Sequence, residues 1–264
     1  MSEPPVLVEQ REAVLHVRFN RPTALNALTE SMLLEAAAAV EAAGPAPDVR
    51  VVQLGGIGRA FSAGADIAGI EPGRPGGTST LDAANRLVRA IRDVPKPVVA
   101  GVQGLVAGVG CSVVLAADLA VAGESAYLLF AFAGIGLMPD GGATALLPAA
   151  VGGARVSRLV LLGERIEARR AEQWGLLSHC VPDEDLVTEV ERLVAHLATG
   201  PTNAYAATKR AFNATALAGL DTAFDVEREL QVGLFATDDF AEGITAFRAK
   251  RSPRFTGRPV GSLV

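Results

Sequence analysis

The chain has 264 residues, half of them hydrophobic, with 24 Lys and Arg against 29 Asp and Glu for a formal net charge of −5. Length and positive mean hydropathy are ample for a sizeable core in one or two domains, and the acidic balance leaves no basic footprint for nucleic acid. Cys111 and Cys180 offer no disulfide framework, MSEPPVLVEQ lacks the regions of a signal peptide, and no run reaches the ~18 apolar residues of a membrane span, so a soluble, cytoplasmic protein is expected.

In chain order, Val6–Val8 and the alternating run Val14–Phe19 predict a first hairpin, with His16 a surface or edge residue. Thr29 caps a helix over residues 30–43 that Gly44 and Pro45 stop, and its alanine run implies close packing against a neighbour. Val49–Leu54 reads as a buried strand. Residues 69–79, rich in Gly and Pro, read as a surface loop, either an ordinary loose loop or a lid. Leu81, Ala84, Val88 and Ile91 fall on one helical face, closed by Pro95-Lys-Pro. Val98–Val102 is a second buried strand, followed by glycines at 104, 108 and 110 and a small apolar helix from Cys111 to Ala117. Short strands follow at 118–121 and 127–130, helices at about 140–150, 153–162, 167–174 and 184–198, and a short strand around His179. After Pro201 the pattern turns wholly helical, over about 202–217, 222–236 and 238–250, which suggests a subdomain boundary there.

Two of these stretches share one physical feature. GVQGLVAGVGCSV (101–113) and LGGIGRAFSAGADI (54–67) each leave a strand through glycines and small residues. Glycine permits positive φ and close backbone approach, and a strand that breaks into a helix start leaves N–H groups unpaired. With the helix dipole, such groups suit an oxygen carrying negative charge. Two such loops would make a two-donor pocket, although each alone is also an ordinary packing turn, and spacing does not show that they meet. No His, Cys or carboxylate cluster has metal-ligand spacing, and His179 beside Cys180 on a strand faces the other way.

NRPTALNAL (20–28), GIGRAFSAGADI (56–67), VQGLVAGVGCSVVLAADLAVA (102–122) and IGLMPDGGAT (135–144), in that order, resemble the enoyl-CoA hydratase/isomerase, or crotonase, superfamily over nearly the whole chain. The resemblance implies an α/β fold, a crotonase-like spiral of β-β-α turns over residues 1–200. It also implies a C-terminal helical region, residues 201–264, that packs subunits into homotrimers or hexamers. It implies an acyl thioester of coenzyme A as substrate in fatty-acid or other lipid metabolism, with no tightly bound cofactor and no metal. By position, the enolate oxygen would be held by the N–H groups of Ala65 and Val109. Valine stands where glycine is common, which keeps the N–H but would narrow the pocket or redirect the acyl chain. Coenzyme A would be held around Ala24, Leu25, Ala63, Ala65, Asp66 and Ile67, with Lys250 or Arg251 supplying charge to its phosphates. Thr23 replaces a residue that is often basic in the family, which removes one phosphate contact. Asp66 also reads as a structural side chain bonding loop N–H groups.

The acid/base group separates the reactions. Hydratases of the family use two glutamates; by the resemblance one falls at Ser112 here and the other near Phe132, and neither is acidic. Asp140 stands where similar isomerases carry a single carboxylate. One carboxylate can take a proton from one carbon and return it to another, and Leu137 and Met138 would raise its pKa if it is buried. An Asp before Gly-Gly at a helix start is equally a good N-cap, so Asp140 is either an acid/base or a cap. The readings carried forward are an isomerase, a hydratase with unusual residues, and an acyl-CoA-binding protein without chemistry.

Overall fold

The computed structural model describes residues 3–71 and 77–258; the middle of the expected loop or lid over residues 69–79 lies outside the described residues. The chain opens with an antiparallel hairpin, β1 (Val6–Arg11) and β2 (Val14–Phe19), followed by α1 (Glu30–Ala43). The Thr29 hydroxyl accepts the Met32 N–H at 3.3 Å, so the expected cap is in place. The small residues Ala36, Ala37 and Ala43 are buried and let α1 lie close against α2 (Ser79–Asp93).

Then the chain climbs in steps. β3 (Val51–Gly56) leads into β4 (Ala60–Ser62) and α2; β5 (Val98–Val102) into β6 (Leu105–Ala107) and α3 (Val109–Ala116); β7 (Leu119–Gly123) into β8 (Tyr127–Leu129) and a short 3-10 turn at Ala131–Ile135. Each step contributes one strand to a six-stranded sheet, ordered β1-β2-β3-β5-β7-β10, and one to a four-stranded sheet, ordered β4-β6-β8-β9. β2, β3, β5, β7 and β10 (His179–Val181) run parallel to one another, as do β4, β6 and β8. This is the spiral of β-β-α turns implied by the resemblance.

The second sheet is the main departure from the elements expected from sequence. β4 and β6 are three residues long and sit inside stretches that read as glycine loops, while β9 (Ile166–Glu167) is two residues long and falls at the start of an expected helix. Gly104 shows why the chain turns there. Its φ is +57°, and a Cβ on it would lie 2.0 Å from the Arg59 carbonyl oxygen, so only glycine lets β5 pass into β6 against the preceding step. β2 lies between β1 and β3 and is not an edge strand. His16 is half-buried on it, with Nδ1 3.0 Å from Gln53 Oε1.

The large sheet is covered on both faces, which accounts for its near-continuous apolar runs. Val52, Leu54, Val98 and Val102 join a core with α1, α2 and α3, while Val51, Val99 and Val121 pack on Val190, Leu193 and Val194 of α7 (Leu186–Thr199). α4 (Ala143–Val151), α5 (Gly153–Leu161) and α6 (Ala168–Trp174) lie between the third step and β10. From Thr202 the chain is helical: α8 (Thr202–Thr215), α9 (Leu220–Phe235) and α10 (Asp238–Arg248). α8 is tied to the core by buried polar groups. Lys209 Nζ donates to Asp118 Oδ2 at 2.7 Å and to the Lys96 carbonyl, and Asn213 exchanges hydrogen bonds with Arg92 of α2. None of the helices among the described residues is long and apolar enough to cross a membrane.

Candidate active site

The first two motifs are laced together by side chains of the turn after β2. Asn26, fully buried with φ +54°, accepts the Arg21 N–H on Oδ1 at 2.8 Å and donates through Nδ2 to the carbonyls of Ile57 and Ala60. Ser62 donates to the Asn26 carbonyl and accepts the Gly64 N–H at 3.1 Å. The N–H groups of Ala63 and Asp66 reach the Leu25 and Leu28 carbonyls at 2.9 Å. Ala65 is thereby held between bonded neighbours, while its own N–H and that of Val109 donate to no other group among the described residues.

The two glycine loops meet. Gly64 has φ +90°, and a Cβ on it would lie 2.9 Å from the Ala107 carbonyl oxygen and 3.5 Å from Gly108 Cα. Gly108 has φ +51° and directly precedes α3, so Val109 offers a free N–H at the first position of a helix. The ring of Phe132 closes on this turn; a Cβ on Gly108 would come within 3.9 Å of its Cζ. The arrangement brings two unpaired main-chain N–H groups together and sets the apolar ring of Phe132 against the second loop.

The segment before α4 completes the site. A Cβ on Gly141 would lie 3.2 Å from Val109 Cγ2 and 3.0 Å from Ser112 Cβ, so Asp140 stands next to a residue that packs on the second donor. Ser112, at the other hydratase-type position, donates from its hydroxyl to the Asp140 carbonyl at 2.7 Å. The Asp140 side chain is not the cap of α4. That helix begins at Ala143 with Gly142 as its cap residue, and the Asp140 carboxylate makes no capping bond. The cap comes from α9, where Glu227 accepts the N–H groups of Gly142 and Thr144 at 2.7 and 2.8 Å and the Thr144 hydroxyl at 2.6 Å. Asp140 is thus released from the role that competed with acid/base chemistry.

Gln231 lies one turn further along α9. Its Nε2 donates to Asp140 Oδ2 at 2.8 Å and to the Met138 carbonyl at 3.0 Å, and its Oε1 accepts the Met138 N–H at 3.2 Å. Burial pushes the Asp140 carboxyl up to about 7, the Gln231 hydrogen bond pulls it back, and the nearby Glu227 raises it again. Burial also raises Glu227, against the bonds it accepts. A carboxyl near neutrality is poised both to take and to give a proton. Glu227 and Gln231, both fully buried, were not singled out from the sequence. The signal was present: with Leu220 and Phe224 they occupy one face of α9, so two polar residues sit on an otherwise apolar stripe.

Of the positions expected at coenzyme A, Leu25 and Ala63 are joined by a main-chain hydrogen bond, and Ala24 ends a 3-10 turn beside them. Asp66 is engaged in the fold: it pairs with Arg21 at 2.8 Å and accepts the Ala68 N–H. Burial opposes its ionisation, but these two donors outweigh it and hold the carboxyl below its ordinary value. Arg248 donates to the Ala68 and Ile70 carbonyls, which brings the end of α10, and Lys250 after it, to the segment following Ile67. Lys250 is exposed with φ +51°, while Arg251 is paired with Glu242. One cleft among the described residues lies elsewhere, lined by Arg89, Lys209, Asp221 and Phe224. It is separate from the loops that carry the Ala65 and Val109 N–H groups. No cluster of metal-binding side chains occurs among the described residues.

Known proteins share this framework. The enoyl-CoA hydratase/isomerase family model matches residues 9–258. The chain is 37% identical over 258 residues to a 1,2-epoxyphenylacetyl-CoA isomerase of Escherichia coli K12, covering 96% of this chain and 98% of that one. It is 40% identical over 259 residues to a probable enoyl-CoA hydratase of Rhodobacter capsulatus, covering 98% of this chain and all of that one. A crystal structure of an enoyl-CoA hydratase from Mycobacterium avium subsp. paratuberculosis superposes with a TM-score of 0.90 at 44% identity, covering 96% and 99% of the two chains. The spiral, the meeting of the glycine loops and the match along nearly the full length agree: the chain belongs to the enoyl-CoA hydratase/isomerase family.

Proposed function

We propose that the protein is an enoyl-CoA isomerase in which Asp140 is the single acid/base. The observation that carries this reading is that the segment bearing Asp140 packs on Val109 and Ser112, with the capping role taken by Glu227; the resemblance puts the two acids of a hydratase at Ser112 and near Phe132, where neither residue is acidic. Activating a water and delivering a proton call for two groups; moving a proton between two carbons calls for one.

In the proposed reaction the thioester oxygen of a 3-enoyl-CoA lies between the Ala65 and Val109 N–H groups. Asp140 removes a proton from C2, and the electron pair spreads onto the thioester oxygen and to C4. The two donors stabilise that oxygen, an effect on the order of 10²–10³ in rate per donor in a well-studied enzyme. Asp140 then returns the proton to C4, leaving the 2-enoyl-CoA. The coenzyme A portion would lie along Ala24, Leu25, Ala63, Asp66 and Ile67 with Lys250 near its phosphates. The isomerase named among the relatives supports this reading, and the hydratase named beside it keeps water addition as the competing outcome.

The test is to incubate the protein with a 3-enoyl-CoA in heavy water and follow the thioester by NMR and mass spectrometry, alongside Asp140→Asn. Double-bond migration that falls by about 10²–10⁴ in the variant is expected. Migration that survives the substitution sinks the assignment of Asp140, and a 3-hydroxyacyl product means hydration.

A further inference from the structure

We propose that Gln231 is a positioning residue for Asp140, which fixes one carboxyl oxygen and confines the transferable proton to the other. This rests on the reading of Asp140 as the acid/base. Gln231 is fully buried and all of its amide is engaged. Because Met138 presents both its N–H and its carbonyl to it, the amide has one orientation: Oε1 toward the Met138 N–H, Nε2 toward the Met138 carbonyl. The remaining Nε2 hydrogen is aimed at Asp140 Oδ2 at 2.8 Å. A glutamine Nε2 can only donate. Oδ2 therefore cannot carry a proton on that side without losing the bond, and Oδ1, which accepts no hydrogen bond among the described residues, is left to bind and release it. A single carboxylate that must return the same proton to a different carbon gains from this arrangement, since the proton stays on one atom throughout.

The charged surroundings are simple enough for the effect to be read. From α9 the titratable group acting on Asp140 is Glu227. α4 has no titratable residue. The one on α3, Cys111, donates to the Val106 carbonyl, and burial pushes its thiol up to about 12. Within the 3-10 turn and up to Met138 no residue titrates.

The test compares the parent with Gln231→Met, which keeps the length and removes the donor, and with Gln231→Glu, which keeps an acceptor for the Met138 N–H and replaces the donor with a second carboxyl. Two readouts are taken: the acid limb of the kcat/KM pH profile, and the titration of the Asp140 carboxyl carbon-13 resonance, assigned by its loss in Asp140→Asn. Losing a hydrogen bond to a charged group should move both upward by about one pH unit in Gln231→Met, and further in Gln231→Glu, where two carboxyls compete for ionisation. A fall in kcat with the limb and the resonance unmoved in both variants would mean that Gln231 only braces the Met138 segment, and overturns the proposal. If Asp140→Asn is inactive in that case, the acid/base reading stands without Gln231; if Asp140→Asn keeps full activity, that reading fails and the proposal falls with it.

Discussion

Around Val109 two kinds of construction meet. The proposed donor pair of Ala65 and Val109 is main chain, held by glycines that admit no side chain and by bonds from Asn26 and Ser62, which belong to the first two motifs. Asp140 is a side chain on a segment without regular structure, and its supports, Glu227 and Gln231, arrive from a helix far along the sequence. The difference teaches where each half is vulnerable. The main-chain N–H groups persist through side-chain change provided the glycines remain, whereas the carboxyl proposed as acid/base depends on two particular polar side chains packed in an apolar interface.

The largest effect should come from breaking the main-chain half. Gly64→Ala would put a methyl group 2.9 Å from the Ala107 carbonyl oxygen at φ +90°, so the loops must separate and the Ala65 N–H must move. Turnover is expected to fall by about 10²–10³, read as kcat beside acyl-CoA binding measured by titration calorimetry. Unchanged kcat would mean that Ala65 is not a donor. Next comes the side-chain half. Glu227→Ala strips the cap from α4 and leaves the buried N–H of Gly142 unpartnered, and should cost roughly 2–4 kcal/mol in urea unfolding. Loss below ~1 kcal/mol would show that water replaces the carboxylate.

The smallest effect sharpens the comparison through pH. Asp140 is raised from 3.8 to about 7 by burial, so between those values the folded state holds a proton that the unfolded state has lost. Stability supplied by this group is complete below the unfolded value, falls as pH rises, and is gone above the folded value. Asp140→Asn lacks this penalty. Relative to the parent it should gain stability from about pH 4 to pH 7, by on the order of 1–2 kcal/mol, because the residue as a whole is only half-buried. Parallel stability curves for the two proteins across that range would place the carboxyl in water.

What the sequence revealed follows the same division. Gly64 and Gly108 were legible because a glycine after an apolar run has few reasons to be there, and Thr29 because capping is local. The second sheet was not, since β4, β6 and β9 are too short to show alternation and become strands by pairing with distant steps of the spiral. Asp140 was legible as a candidate but not as an acid/base over a cap, because Glu227, which settles the capping, lies in another helix. The family relationship carried what local chemistry could not, and for the same reason it was silent on Gln231.

The ties of α8 to the core through Lys209, Asp118 and Asn213 have a consequence in time. Every strand of both sheets, and with them Ala65 and Val109, precedes Pro201, so the segments that form both glycine loops leave the ribosome before α8 does. The proposed site is therefore among the last features of the molecule to be completed, and a chain halted after residue 200 would carry Ala65, Val109 and Asp140 without Glu227 and Gln231, the side chains that brace the Asp140 segment.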